Sequence, residues 1–170
     1  MILPNIPCVI ALFGAEDTGK SYTLVELIDC FLFDTQNKRK QNGIVWLYEN
    51  NNFKQIKNQD ELLKKRGNKN SDCLVYIELP TNVVVGINTG SEDNGNANVV
   101  NDRYNFICKK TKCDIFITAA KTNGNAYDNA KEIADNFVNK GNCFFLPIKK
   151  DKWSDNTQNG LVQFLLDVIV

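Results

Sequence analysis

The chain has 170 residues, 43% hydrophobic and 24% charged, and its 20 basic residues balance 20 acidic ones. That length predicts a single domain, residues 1–170, with a core of ordinary size. Zero net charge gives no electrostatic reason to expect a nucleic acid or an anionic membrane as a partner. The sequence contains no histidine, which excludes Ser-His-Asp and Cys-His nucleophilic catalysis.

No early basic segment precedes a long apolar stretch, and no apolar run approaches the length of a bilayer span, so the sequence predicts a cytoplasmic protein. Cysteines stand at Cys8, Cys30, Cys73, Cys108, Cys113 and Cys143. In a reducing compartment they read as small buried hydrophobes rather than as disulfide partners. No pair has C-x-x-C spacing, which argues against structural zinc.

In chain order, residues 1–7 form a lead-in whose Pro4 and Pro7 oppose helix. Residues 8–13 are near-continuously apolar, the pattern of a buried parallel strand. Gly14-Ala15-Glu16-Asp17-Thr18-Gly19-Lys20-Ser21 follows, fitting G-x-x-x-x-G-K-[ST] at every fixed position. Leu24, Leu27, Ile28, Phe31 and Leu32 then recur at helical spacing, predicting a helix over 20–34. Lys38, Arg39 and Lys40 read as a solvated helix end. Residues 43–48 predict a strand broken by Asn50-Asn51-Asn52, and 53–66 predict a polar helix with Phe53, Ile56, Leu62 and Leu63 on its apolar face. Two strand-like runs, CLVYIEL and VVVGI, flank Pro80-Thr81-Asn82, so they must be antiparallel neighbours. A Gly/Asn/acid loop follows from Asn88. A helix over 97–111 is expected to turn Val99, Val100, Tyr104, Ile107 and Cys108 inward. A strand at 113–120, a helix at 126–139, a strand at 143–148 and an apolar helix at 158–169 complete the chain, the last expected to pack across the sheet.

The strand–loop–helix around Gly14–Ser21 resembles the P-loop NTPase superfamily over residues 8–33, and the antiparallel hairpin resembles its small-GTPase-like branch. The resemblance implies an α/β fold: a three-layer α/β/α sandwich on a mainly parallel sheet with one antiparallel hairpin strand. It implies that Gly14, Ala15, Glu16, Asp17, Thr18, Gly19, Lys20, Ser21 and Tyr22 bind a nucleotide, with Lys121 near the base. Lys20 is then the catalytic cation beside the phosphates, and Ser21 ligates Mg²⁺. A second acid is expected at the end of the strand that closes at Ile87. Asn88 fills that place, so Asp93, with Glu92 beside it, is the candidate for the catalytic and metal role. Three rim segments, Gly14–Ser21, Asn88–Asp93 and Ala120–Asn123, are expected to converge at the carboxyl ends of strands.

The function this implies is a Mg²⁺-dependent ATPase that takes ATP or, less well, GTP. Glu16, Asp17 or Glu92 would orient the attacking water. Guanine is disfavoured because Asn123 stands where GTP-binding relatives carry an Asp that accepts from the ring. The alternatives are a small nucleoside or nucleotide kinase, which three scattered arginines (Arg39, Arg66, Arg103) argue against, and a non-catalytic module that binds a nucleotide or a protein partner.

Overall fold

A computed structural model describes residues 8–15, 18–34, 40–66, 72–90, 99–120, 128, 142–148 and 155–170. These contain strands β1 (Cys8–Phe13), β2 (Ile44–Glu49), β3 (Asn52–Ile56), β4 (Leu74–Glu78), β5 (Val84–Asn88), β6 (Ile115–Ala120) and β7 (Asn142–Pro147). The helices are α1 (Lys20–Leu32), α2 (Gln59–Arg66), α3 (Val99–Lys110) and α4 (Asp155–Ile169). The strands form one sheet in the order β3-β2-β4-β5-β6-β1-β7. Of the expected helix at 126–139, all but Asp128, which is helical, lies outside the described residues.

The sheet has two halves of different character. β5, β6, β1 and β7 pair in parallel, whereas β3–β2, β2–β4 and β4–β5 pair antiparallel. Parallel and antiparallel pairings are thus equal in number. This corrects the expected three-layer sandwich on a mainly parallel P-loop sheet: the fold is a mixed seven-stranded sheet, unevenly covered by helices. Side chains alternate between its faces. Ile10, Leu12, Val75, Ile77, Val85, Ile87, Ile115 and Ile117 meet Leu24, Ile28 and Phe31 of α1, Leu62 of α2 and Val162, Leu165 and Ile169 of α4. On the opposite face Val9, Ala11, Leu74 and Phe116 pack with Ile107 of α3, the described helix on that side.

The correction begins at Asn50-Asn51. Both residues have positive φ, 51° and 63°, the backbone of a two-residue hairpin turn. The chain therefore turns straight back, pairing Glu49 with Asn52 and Val45 with Ile56. The expected helix over 53–66 is strand for its first part and helix only from Gln59. Phe53 and Ile56 are three apart, which imitates a helical face, but on a strand they point to opposite faces and both faces are covered. Phe53 packs edge-on against Tyr76, with ring centroids 4.6 Å apart, while Ile56 joins the α1 side.

The β4–β5 hairpin forms as expected, with Leu74 opposite Asn88 and Asn82 at φ 61° in the turn. β5 is central, flanked by β4 and β6, and Val85 and Ile87 are fully buried. Cys108, expected to face inward, is exposed; Ile107 takes the core position on α3. α4 packs on α1 through Val162, Leu165, Leu166 and Ile169, although Phe164 remains exposed. No helix among the described residues is long and apolar enough to cross a membrane.

Candidate functional site

The candidate site is built where β1 gives way to α1. Phe13 O accepts from Ile148 N at 2.7 Å, and Gly14 N donates to Ala120 O at 3.3 Å, so the loop leaves the sheet pinned from both neighbouring strands. A Cβ at Gly14 would collide with the Ile148 carbonyl oxygen. Gly19 answers a different need: its φ of 83° is left-handed backbone, which L side chains adopt at a cost. It caps α1, and Gly19 O accepts from both Thr23 N (2.9 Å) and Thr23 Oγ1 (3.0 Å).

Lys20 turns back into this loop and is only 5% exposed. Its ammonium donates to Gly14 O at 2.9 Å, Ala15 O at 2.6 Å and Thr18 Oγ1 at 3.1 Å. Thr18, itself buried, donates to Ala15 O at 3.0 Å. A buried cation needs acceptors, and these three oxygens are neutral. An anion offered at the same place would make stronger, charge-assisted bonds to the lysine than Ala15 O or Thr18 Oγ1 do. Tyr22, on the first turn of α1, is 55% exposed.

Ser21 reaches elsewhere. Its Oγ donates to Thr89 O at 2.6 Å. β6 separates β1 from β5, so this bond spans the carboxyl end of an intervening strand. A hydroxyl has one proton and two lone pairs, so donation to Thr89 leaves the lone pairs of Ser21 for a cation.

The end of β5 is a buried polar node. Asn88, wholly buried, donates from Nδ2 to Gly90 O (2.9 Å) and to Thr118 Oγ1 on β6 (2.9 Å). Its Oδ1 accepts from Gly90 N (3.1 Å) and from Arg103 Nη1 on α3 (2.6 Å). Thr89 is fastened to the neighbouring strand: Cys73 N donates to its Oγ1 at 2.8 Å, and its own N donates to Cys73 O at 3.0 Å. A Cβ at Gly90 would strike both Arg103 Nη1 and Asp72 Oδ2, so both side chains crowd this glycine.

Of the residues named from sequence, Gly14, Ala15, Thr18, Gly19, Lys20, Ser21 and Tyr22 lie at one loop–helix junction. Glu16, Asp17, Glu92, Asp93, Lys121 and Asn123 lie outside the described residues. Sequence reasoning missed Asp72 and Thr118, placed Thr89 on the rim without a role, and gave Arg103 no partner. The hairpin contained a signal for Asp72. Once Leu74 faces Asn88, counting outward along both strands sets Asp72 opposite Gly90.

Among the described residues, no group of three or more Asp, Glu, Cys or His side chains is gathered to hold a metal. Ser21 Oγ is bonded to the Thr89 carbonyl and the Asp72 carboxylate lies against Gly90, so a hydroxyl and a carboxylate, oxygen donors of the kind a hard ion takes, stand at adjacent residues of one turn. Mg²⁺ is commonly bound in that way, through one or two carboxylates together with substrate phosphates. No protein-family model, curated protein or solved structure matches this chain.

Proposed function

We propose that the Gly14–Ser21 loop binds the phosphate chain of a nucleoside triphosphate and that the protein is a cytoplasmic, Mg²⁺-dependent ATPase. One observation carries this reading: Lys20, buried at the start of a helix, is gathered by the oxygens of a loop whose two glycines meet a space limit and a backbone limit. The loop presents an ammonium and a helix N-terminus together, the combination that phosphate binding uses. Ser21 and Asp72 are the residues that would hold Mg²⁺, which when bound offsets charge on the β- and γ-phosphates. Adenine is preferred over guanine because Asn123 is an amide, not a carboxylate.

A second reading is supported by the end of β5. Asn88 stands where an acid is expected, and it is bonded to Arg103, whose positive charge disfavours a metal ion beside it. A non-catalytic module that binds nucleotide and contacts a protein partner would have this arrangement.

Calorimetric and thermal-shift titrations with ATP, GTP and ADP, each with and without Mg²⁺, test the binding. A triphosphate is expected to bind and to raise the melting temperature by mass action. Lys20→Ala removes a charge-assisted contact worth about 1.5–3 kcal/mol, so affinity should fall about 10- to 150-fold. A folded wild-type protein that binds none of these ligands refutes the proposal. Phosphate release from the bound triphosphate then separates the ATPase from the binding module.

A further inference from the structure

Besides Lys20, the rim of the sheet holds a second cation, Arg103 on α3. β1, β6 and β5 are parallel neighbours, so their carboxyl ends share this rim. Lys20 sits just beyond the end of β1. Arg103 meets the end of β5, where its Nη1 donates to Asn88 Oδ1 at 2.6 Å. With β6 between them, the two strand ends stand about 10 Å apart.

The Arg103 side chain is half-buried, and the acceptor that holds it is a neutral amide. Asp72 crowds the same glycine, Gly90, but the salt bridges among the described residues, Lys54–Glu61 and Lys112–Asp114, include neither Asp72 nor Arg103. An acid at position 88 would pair with the guanidinium and neutralise it. The amide orients the group and leaves its charge for another anion. Asn88 Oδ1 takes one of five N–H donors, so the guanidinium can keep this anchor and still offer donors.

The distance to the nucleotide loop suits one phosphate group. Ser21 Oγ lies 2.6 Å from Thr89 O, and a Cβ on the next residue, Gly90, would collide with Arg103 Nη1. Backbone geometry then keeps Ser21 Oγ within about 9 Å of Arg103 Nη1. A phosphate that takes a hydrogen bond at each end spans about 8 Å.

We propose that Arg103 reads the terminal phosphate of the bound nucleotide, so that the protein distinguishes a nucleoside triphosphate from the diphosphate. This rests on the nucleotide reading above. A diphosphate fills the loop beside Lys20 and stops short of β5. The third phosphate is the added group that extends past the end of β6, and the guanidinium meets its oxygens there. Arg103 is thus a specificity residue outside the loop, and Asn88 is the group that positions it.

Calorimetry on the full chain with Mg²⁺ compares ATP and ADP for wild type, Arg103→Ala and Asn88→Asp. Wild type should bind ATP about tenfold or more tightly than ADP. Arg103→Ala removes a charge-assisted bond, so ATP affinity should fall about 10- to 150-fold while ADP affinity changes by less than about threefold. Asn88→Asp keeps Arg103 but pairs its charge, so it should narrow the ATP-to-ADP ratio by about tenfold. Equal wild-type affinities, or equal losses in Arg103→Ala, overturn the proposal and leave the nucleotide reading standing. A folded wild type that binds neither nucleotide fails both. A second readout needs no variant to fold. Phenylglyoxal modifies arginines, and peptide mapping follows Arg103 with Arg39 and Arg66 as internal references. ATP with Mg²⁺ should slow modification of Arg103 and ADP with Mg²⁺ should not. Equal protection by the two nucleotides, or none by ATP, overturns the proposal.

Discussion

Truncating Asn88 should be among the most damaging single changes in this protein. Asn88→Ala removes four hydrogen bonds from a wholly buried position: two to Gly90, one to Thr118 and one from Arg103. The three neutral bonds are worth about 1 kcal/mol each and the charge-assisted one about 1.5–3 kcal/mol. They share partners, so the sum overstates the loss, and Arg103 can turn to water; about 3–4 kcal/mol is expected. For a chain of this size that lowers the melting temperature by about 6–16 °C. Asn88→Asp gives the contrast. It keeps acceptors for Gly90 N and Arg103, turns the Arg103 contact into an ion pair, and gives up only the two Nδ2 donations, so it should cost about 1–2 kcal/mol. Urea unfolding of wild type and both variants, read at a common slope, measures the difference. An alanine variant that loses less than about 1 kcal/mol refutes the cooperative node. An aspartate variant as damaged as the alanine one refutes the role given to Arg103.

Gly19→Ala should destabilise the fold by about 1–2 kcal/mol, because φ of 83° places a Cβ in the left-handed region; an unchanged urea midpoint would contradict that backbone. Asp72→Asn should lower the Mg²⁺-dependent part of triphosphate affinity by about tenfold while leaving Mg²⁺-free binding unchanged, as calorimetry with and without the metal would read. Equal losses in both conditions would assign Asp72 to the scaffold over Gly90 instead.

The parts of the fold legible in the sequence are those whose local pattern and tertiary surroundings agree. Residues 8–13 are apolar without alternation, and β1 is covered on both faces and flanked by strands on both sides. Gly14, Gly19 and Lys20 carry their constraints in their own chemistry, a missing Cβ twice and a long cation once, so the motif is readable without the fold. The residues at 52–56 were misread because Phe53 and Ile56 have helical spacing, and only the positive φ of Asn50 and Asn51 shows that the chain reverses there. Cys108 was misplaced by one position on a short helix, where Ile107 is the buried residue and Tyr104 and Phe106 pack partly beside it.

Where a second acid is sought depends on strand direction, and here the β4–β5 hairpin decides it. In a parallel sheet only carboxyl ends of strands reach the ligand rim, so a search for the second acid stops at Asn88 and the residues after it. In this sheet β4 runs against β5, and its amino end reaches the same rim as the carboxyl ends of β1, β5 and β6. Asp72 arrives there from the opposite chain direction, beside Gly90 and one residue from the carbonyl that Ser21 holds. The polar residues of the rim therefore divide by origin. Lys20 and Ser21 come with the loop and were visible as a motif. Asp72, Arg103 and Thr118 come from an antiparallel strand, a helix and a neighbouring strand, and converge on Asn88 and Gly90 only once the register is set. Asn88 is then the residue through which the two groups meet: its backbone leads to the Thr89 carbonyl that takes the Ser21 hydroxyl, and its side chain holds Arg103. A change at position 88 should be felt at Ser21 as well as at Arg103, for that reason and not because an acid once stood there.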